Sequence, residues 1–283
     1  MDDCYRVCLT PPSPTEQPNT YTIFNLETNQ GLIRVQEQSE CLPRICCKPN
    51  HSVVLQFNAL DPSGAELFPV ITMEREGCCS KVCLGQVVCC DVCAQEAFVH
   101  AGNVPVTPEA HAGKLPKDKV IGRAKVPVPF AGGLTPTIQI MDRTPDSDVH
   151  WASATGPTCF GGLSELCCTV PFAVKRVDKD TGKVSVDIGA VATISKIKPK
   201  SLGAAARELL TDSDIYELEI HDKTITPQQR ATLIGTALMM DYMFFERDLD
   251  CIGCDQNGNI VLNMFNMFCC GVLIPCTVKL GNK

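Results

Sequence analysis

The chain has 283 residues, and 25 Lys and Arg against 32 Asp and Glu leave a formal charge of −7. A hydrophobic content of 45% excludes disorder throughout and supports one large or two small cores. The acidic balance argues against a nucleic-acid partner and against unaided binding to anionic lipid, so the 19 cysteines carry the functional question.

Met1-Asp2-Asp3 opens the chain without an apolar run, so the N-terminus does not read as a secretory signal. Residues 1–20 contain Pro11, Pro12, Pro14 and Pro18 and show no apolar periodicity. They predict a flexible tail, in which Pro11-Pro12-Ser13-Pro14 offers a short polyproline ligand to a signalling protein. From Tyr21 the pattern becomes β. Tyr21, Ile23, Leu32, Ile33 and Val35 flank the Asn29-Gln30-Gly31 turn signal. Strands follow at 53–57 and 67–73 around the Asp61-Pro62-Ser63-Gly64 turn, and another at 96–100. Residues 101–119 read as a long surface loop. Residues 120–128 and 137–141 predict strands, with Pro127 and Pro129 confining the first to an edge or a terminus. Residues 172–177 and 184–188 flank a polar turn, and 191–197 is a further strand. Residues 202–210 predict a short helix. Tyr216, Leu218 and Ile220 then alternate with Glu217, Glu219 and His221, as a half-exposed strand does. Many short strands without a clean linker predict one β domain, a sandwich or a barrel, over 21–250.

Thr226-Pro227-Gln228-Gln229 carries an N-cap, a Pro at the first helical position and a capping-box Gln. It predicts a helix over 227–247. Between Ala231 and Phe245 the one residue of formal charge is Asp241, so this helix must lie in protein or in lipid. The apolar run spans roughly 22 Å at about 1.5 Å per residue. A hydrocarbon core is about 30 Å thick, so length favours a core helix. Residues 251–283 extend beyond it. Asp255–Asn259 reads as a hairpin turn, and 260–278 carries no formal charge. With Asn263, Asn266 and Pro275 inside it, 260–278 predicts barrel strands or a membrane-lying acylated segment rather than a spanning helix.

The cysteines cluster as the doublets Cys46-Cys47, Cys167-Cys168 and Cys269-Cys270 and as the block Cys78, Cys79, Cys83, Cys89, Cys90 and Cys93. Their odd number excludes a complete set of intrachain disulfides. Cys90-x-x-Cys93 and Cys251-x-x-Cys254 have zinc-ligand spacing, but doublets fit no ordinary zinc module, so zinc is not the expected cofactor. Thioester acylation suits a cluster beside a membrane, where two or more acyl chains anchor stably. Burial as small hydrophobes is the alternative for any single cysteine.

Five ordered stretches together resemble the phospholipid scramblase family. They are Glu37–Cys41 with Arg44–Pro49, then Arg75–Cys79 through Cys93–Glu96, then Gly156–Cys159 leading to Cys167-Cys168. Arg207–Asp214 and Ala231–Gly235 with Met240–Glu246 complete the set. The order and spacing agree over about residues 21–247. The resemblance implies a tubby-like fold, a closed antiparallel barrel of about twelve strands around one hydrophobic helix. Ala231, Gly235, Asp241, Phe244 and Phe245 belong to that helix. It also implies calcium-responsive movement of phospholipids between leaflets, rather than covalent chemistry, and covalent palmitate on the 78–93 cysteines.

The family's acidic calcium stretch is altered here. Asp212 and Asp214 fall at ligand positions 1 and 3. Glu217 stands at position 6, where a tight loop wants Gly, and the last acid is displaced to Asp222. As a loop, Asp212, Asp214, Glu217, Glu219 and Asp222 supply several oxygens; the same residues also read as a turn and the solvated face of a strand. The expected protein is scramblase-type, held at the cytoplasmic face of a membrane, the plasma membrane first. The alternative is a lipid-anchored adaptor that binds membranes or signalling proteins without moving lipid.

Overall fold

Side chains that alternate between an apolar interior and solvent shape the computed structural model into a closed barrel. It describes residues 4–10, 19–38, 51–77, 94–107, 113–128, 133–144, 147–178, 181–185, 189–199, 214–245, 251–255 and 258–281.

The barrel strands are β1 (Cys4–Thr10), β2 (Thr20–Asn25), β3 (Gly31–Gln38), β4 (Val53–Leu60), β5 (Glu66–Arg75), β6 (Gln95–Ala101), β7 (Val120–Val126), β8 (Thr137–Arg143) and β9 (Asp148–Thr155). β11 (Val170–Arg176), β12 (Ala192–Lys196) and β13 (Ile215–Ile220) complete it. All neighbours pair antiparallel, and the circuit closes where β1 lies between β2 and β13. One residue in two faces inward: Tyr21 and Ile23, Leu55 and Phe57, Ile138 and Ile140, Phe172 and Val174, Tyr216 and Leu218 are all buried. Closure leaves no open edge, and twelve strands make a lumen wide enough for a helix.

That helix, α1 (Pro227–Met240), runs into a π turn over Asp241–Phe245. Thr226 caps it: its hydroxyl accepts from Gln229 N at 3.2 Å, and Gln229 Oε1 accepts from Thr226 N at 3.0 Å. From Thr232 to Phe244 every side chain is buried. Gly122 of β7 faces Thr232, and Gly235 faces Val99 of β6, so small residues set the closest helix-to-wall approaches. Among the described residues no helix is long and apolar enough to cross a membrane. The structure is the closed barrel around one hydrophobic helix that the resemblance implies. Thr226→Ala removes one half of the capping box and is expected to lower stability by about 1 kcal/mol. Thermal melting checks this, and an unchanged midpoint would show that packing alone holds the helix start.

Two expectations need correction, and two others fall partly outside the described residues. Residues 1–20 are not all tail, because Cys4–Thr10 is a barrel strand with Val7 and Leu9 inside. Its partner β13 is some 210 residues away, so nothing local announces it. Of the strand expected over 184–188, Val184 bridges Val177, and 186–188 lie outside the described residues. The central helix expected over 227–247 is present from Pro227 to Phe245, its last turn in π geometry, while 246–247 and the helix expected over 202–210 lie outside the described residues. Residues beyond 251 do not enter the barrel. β14 (Ile252–Cys254), β15 (Ile260–Cys269) and β16 (Val272–Leu280) form a second sheet with β10 (Cys159–Phe160), which leaves the barrel path between β9 and β11.

Candidate functional site

The polar content of the lumen gathers where α1 ends. β2 begins there with Tyr21, β12 ends there with Lys196, and β13 begins there after Asp214. Asp241 lies between two inward tyrosines. Tyr216 donates to its Oδ1 at 2.7 Å and Tyr21 to its Oδ2 at 2.9 Å. Tyr216 also reaches Asp214 Oδ2 at 3.3 Å. Lys196 Nζ sits 2.8 Å from Asp214 Oδ2 and 2.6 Å from Glu165 Oε2, and 4.6 Å from the centre of the Phe245 ring. Glu165 arrives on a 3-10 turn over Gly162–Leu166.

Two carboxylates, Glu165 and Asp214, thus share one buried ammonium beside a third, Asp241. Burial and the Asp214 charge push Asp241 up to about 7 against the pull of both tyrosine hydroxyls and Lys196. Burial likewise raises Glu165. Burial opposes the charge on Lys196, but Asp214 and Glu165 outweigh it and hold the ammonium protonated. The cluster therefore retains a proton near neutral pH. Beside it lies a second buried group. Glu37 Oε1 is 3.1 Å from His51 Nε2, and Glu37 Oε2 accepts from Asn19 N at 3.0 Å and from Tyr242 OH at 3.2 Å. Arg75 stacks over the Tyr242 ring at 5.6 Å.

An aromatic layer joins this end of the barrel to the second sheet. Phe160 of β10 packs on Phe172 at 6.2 Å and on Phe244 at 6.0 Å, and Phe268 of β15 packs on Phe244 at 6.2 Å. Of the expected helix residues, Gly235, Asp241 and Phe244 are buried and Ala231 and Phe245 half-buried. Asp241 and Phe245 belong to the polar end, whereas Ala231 lies nearer the other mouth.

The expected calcium ligands are not brought together. Asp212 lies outside the described residues. The segment after it is strand β13, which spaces residues at about 3.3 Å and turns alternate side chains to opposite faces. Asp214 turns inward to Lys196, Glu217 pairs with Arg6 at 3.0 Å, and Glu219 is exposed. Asp222, beyond the strand, pairs with Arg176 at 2.6 Å, and bonds from the Thr224 hydroxyl and Arg176 hold its carboxyl down at about 2. Calcium needs roughly six to eight oxygens around one point, and the described members Asp214, Glu217, Glu219 and Asp222 do not converge on one. Among the described residues no group of three or more His, Cys, Asp or Glu stands ready for a metal.

The cysteines 78, 79, 83, 89, 90 and 93 all lie outside the described residues. The strand ends on either side of them are described. Arg75 closes β5 against Ala97, β6 opens at Gln95, and Arg75 contacts Tyr242. The chain therefore leaves and rejoins the barrel at the Asp241 end. As site residues Lys196, Glu165, Tyr21 and Tyr216 do not stand out in the sequence, where the two tyrosines read as inward strand positions. One signal pointed to Lys196, since it shares the inward parity of Ala192 and Ile194.

No family model matches the chain. It is 24% identical over 237 residues to phospholipid scramblase 1 of Mus musculus, across 82% of this chain and 56% of that protein. The chain spans about half the length of this curated relative. No solved structure matches it. The similarity is to a scramblase, as the five sequence stretches indicate.

Proposed function

We propose that this chain is a scramblase-type protein that moves phospholipids between membrane leaflets in both directions. Acyl chains on the 78–93 cysteines hold it at the cytoplasmic face of the plasma membrane. The observation that carries this reading is the similarity to phospholipid scramblase 1 over 82% of the chain, together with the closed twelve-stranded barrel around one helix. Anchoring by acylation is supported by the strand ends at Arg75 and Gln95, which bring both flanks of the cysteine block to one end of the barrel. A chain of net charge −7 gains no attraction from anionic lipid, so two or more acyl chains would supply the membrane signal. The polyproline segment expected to bind signalling proteins lies outside the described residues. The calcium response that the resemblance implies belongs to this reading as its least supported part, since the described acids Asp214, Glu217, Glu219 and Asp222 do not converge.

A second reading is favoured by one feature. The hydrophobic helix is enclosed by the barrel wall, so lipid headgroups have no path along it. A lipid-anchored adaptor without transport needs no such path. Reconstitution of the acylated protein in vesicles with fluorescent lipid in both leaflets separates the two. Scramblase-type activity exposes inner-leaflet label to an external quencher, and parallel runs with calcium and with chelator test the calcium response. No acceleration in either run removes the transport reading. Membrane association that weakens when the six cysteines become Ser, with no lipid movement, establishes the adaptor.

A further inference from the structure

The second sheet has two unlike faces. Cross-strand partners share a face, and a bulge between Asn263 and Phe265 brings Asn263 and Asn266 to the same side. On that side Asn263, Asn266, Phe268 and Leu273 are buried, with the two amides 3.2 Å apart and Phe268 against Phe244. Lys279, opposite Val261, belongs to this side and pairs with Asp255.

The other side is apolar throughout. Ile260 lies opposite Leu280, Leu262 opposite Val278, and Met267 opposite Ile274. Five of these six are exposed, Ile260 at 46% and Leu280 at 52%, and Leu262 is half-buried. Ile252 of β14, opposite Leu262, extends the surface at 57% exposure. The thiols on this face, Cys159, Cys269 and Cys276, are free and at least partly exposed. No charged side chain among the described residues of the sheet has this parity.

We infer that this face docks into the acyl boundary of a phospholipid bilayer. The inference rests on the reading that the protein works at a membrane, and it names the surface that touches lipid. Hydrocarbon suits the face because it asks for no hydrogen bond, whereas a protein interface carries about one per 100–200 Å² and a charged rim. The backbone adds a constraint. Among the described residues β16 pairs only with β15, and an open strand edge cannot sit unpaired in hydrocarbon. The sheet therefore lies flat, with side chains reaching into the acyl region and the β16 edge at headgroup level. Pro275 removes one donor from that edge. Phe160 and Phe268 fasten the plate to Phe172 and Phe244, so docking seats the Asp241 end of the barrel at the membrane. The attraction is apolar, so it is independent of anionic lipid and of salt.

The test is co-flotation of the unacylated full chain with neutral phosphatidylcholine vesicles. The chain is expected to float with them, equally at about 0.1 M and about 1 M NaCl. The double variant Val272→Glu, Ile274→Glu changes two exposed positions and is expected to bind at least about tenfold less, with an unchanged melting midpoint. In Ile274→Trp, brominated lipid is expected to quench the new indole. Binding of the double variant equal to that of the original chain overturns the inference and leaves the scramblase reading standing. Absence of flotation by the original chain also overturns it, as does a dimer that the glutamates dissociate without vesicle binding, which makes a second copy the occupant. Vesicle binding that depends on the face, with no lipid movement in the reconstitution, upholds the inference and overturns the transport reading.

Discussion

Lys196→Ala is expected to cost about 3–5 kcal/mol of stability at neutral pH, because it leaves Glu165 and Asp214 buried without a counter-charge. Side-chain exposure of Lys196 is 6%, so water does not replace the ammonium. The loss is expected to shrink in acid, where Glu165, already raised by burial, becomes neutral. Asp241 gives the parent protein a related pH dependence. Its folded-state carboxyl titrates at about 7, above the ordinary carboxylate value of 3.8. Between those two values the folded chain holds a proton that the unfolded chain releases, so stability falls as pH rises. The contribution is complete below about 3.8 and lost as pH passes through about 7, and it amounts to at most about 4 kcal/mol. Asp241→Asn is expected to flatten the curve between about pH 4 and 8, since an amide still accepts from one tyrosine and donates to the other. Urea unfolding across pH for the three proteins checks both claims. A parent stability that rises from pH 5 to 8 at the same slope in Asp241→Asn would mean that Asp241 is ionised throughout.

Gly122→Ala is the second large effect expected. The glycine needs no unusual backbone conformation; its role is close approach. A Cβ there would fall 2.0 Å from Thr232 Oγ1 and 2.9 Å from Thr232 Cγ2, inside the contact between β7 and α1. Thr232 cannot turn away freely, because its hydroxyl bonds Gln228 O at 2.9 Å and its side chain is buried. Overpacking of this kind costs about 1–3 kcal/mol. Thr232→Ala removes both nearest atoms and leaves Cβ at 3.0 Å, so the double variant is expected to recover part of the loss. A coupling of at least about 0.5 kcal/mol in the four-protein cycle supports the packing described. Strict additivity would mean that α1 does not lie against β7 at this point.

Neither effect is legible in sequence. Gly122 reads as an interruption in a strand and Thr232 as a polar residue in an apolar helix; their meeting joins residues 110 positions apart. The calcium stretch shows the same limit. Asp212, Asp214, Glu217 and Asp222 have the spacing of a loop only while the backbone is left free. Alternation of Tyr216, Leu218 and Ile220 draws the segment into β13 and turns its acids to opposite faces. The hairpin beyond 260 is a further case. Its lack of charge was plain, but a bulge at Asn263 decides which apolar residues share a face.

Local chemistry determined the elements. Alternating apolar residues specify strands, and Thr226-Pro227-Gln228-Gln229 specifies where the helix begins, because those preferences act over two to four residues. The five ordered motifs determined the family resemblance. Tertiary structure alone decided that Cys4–Thr10 closes the barrel, that Lys196 serves Glu165 and Asp214 beside Asp241, and that one face of the second sheet is left apolar and open. The physical reason is common to all three. Each depends on which distant segments pair, and pairing is settled by burial of the whole set of inward faces at once.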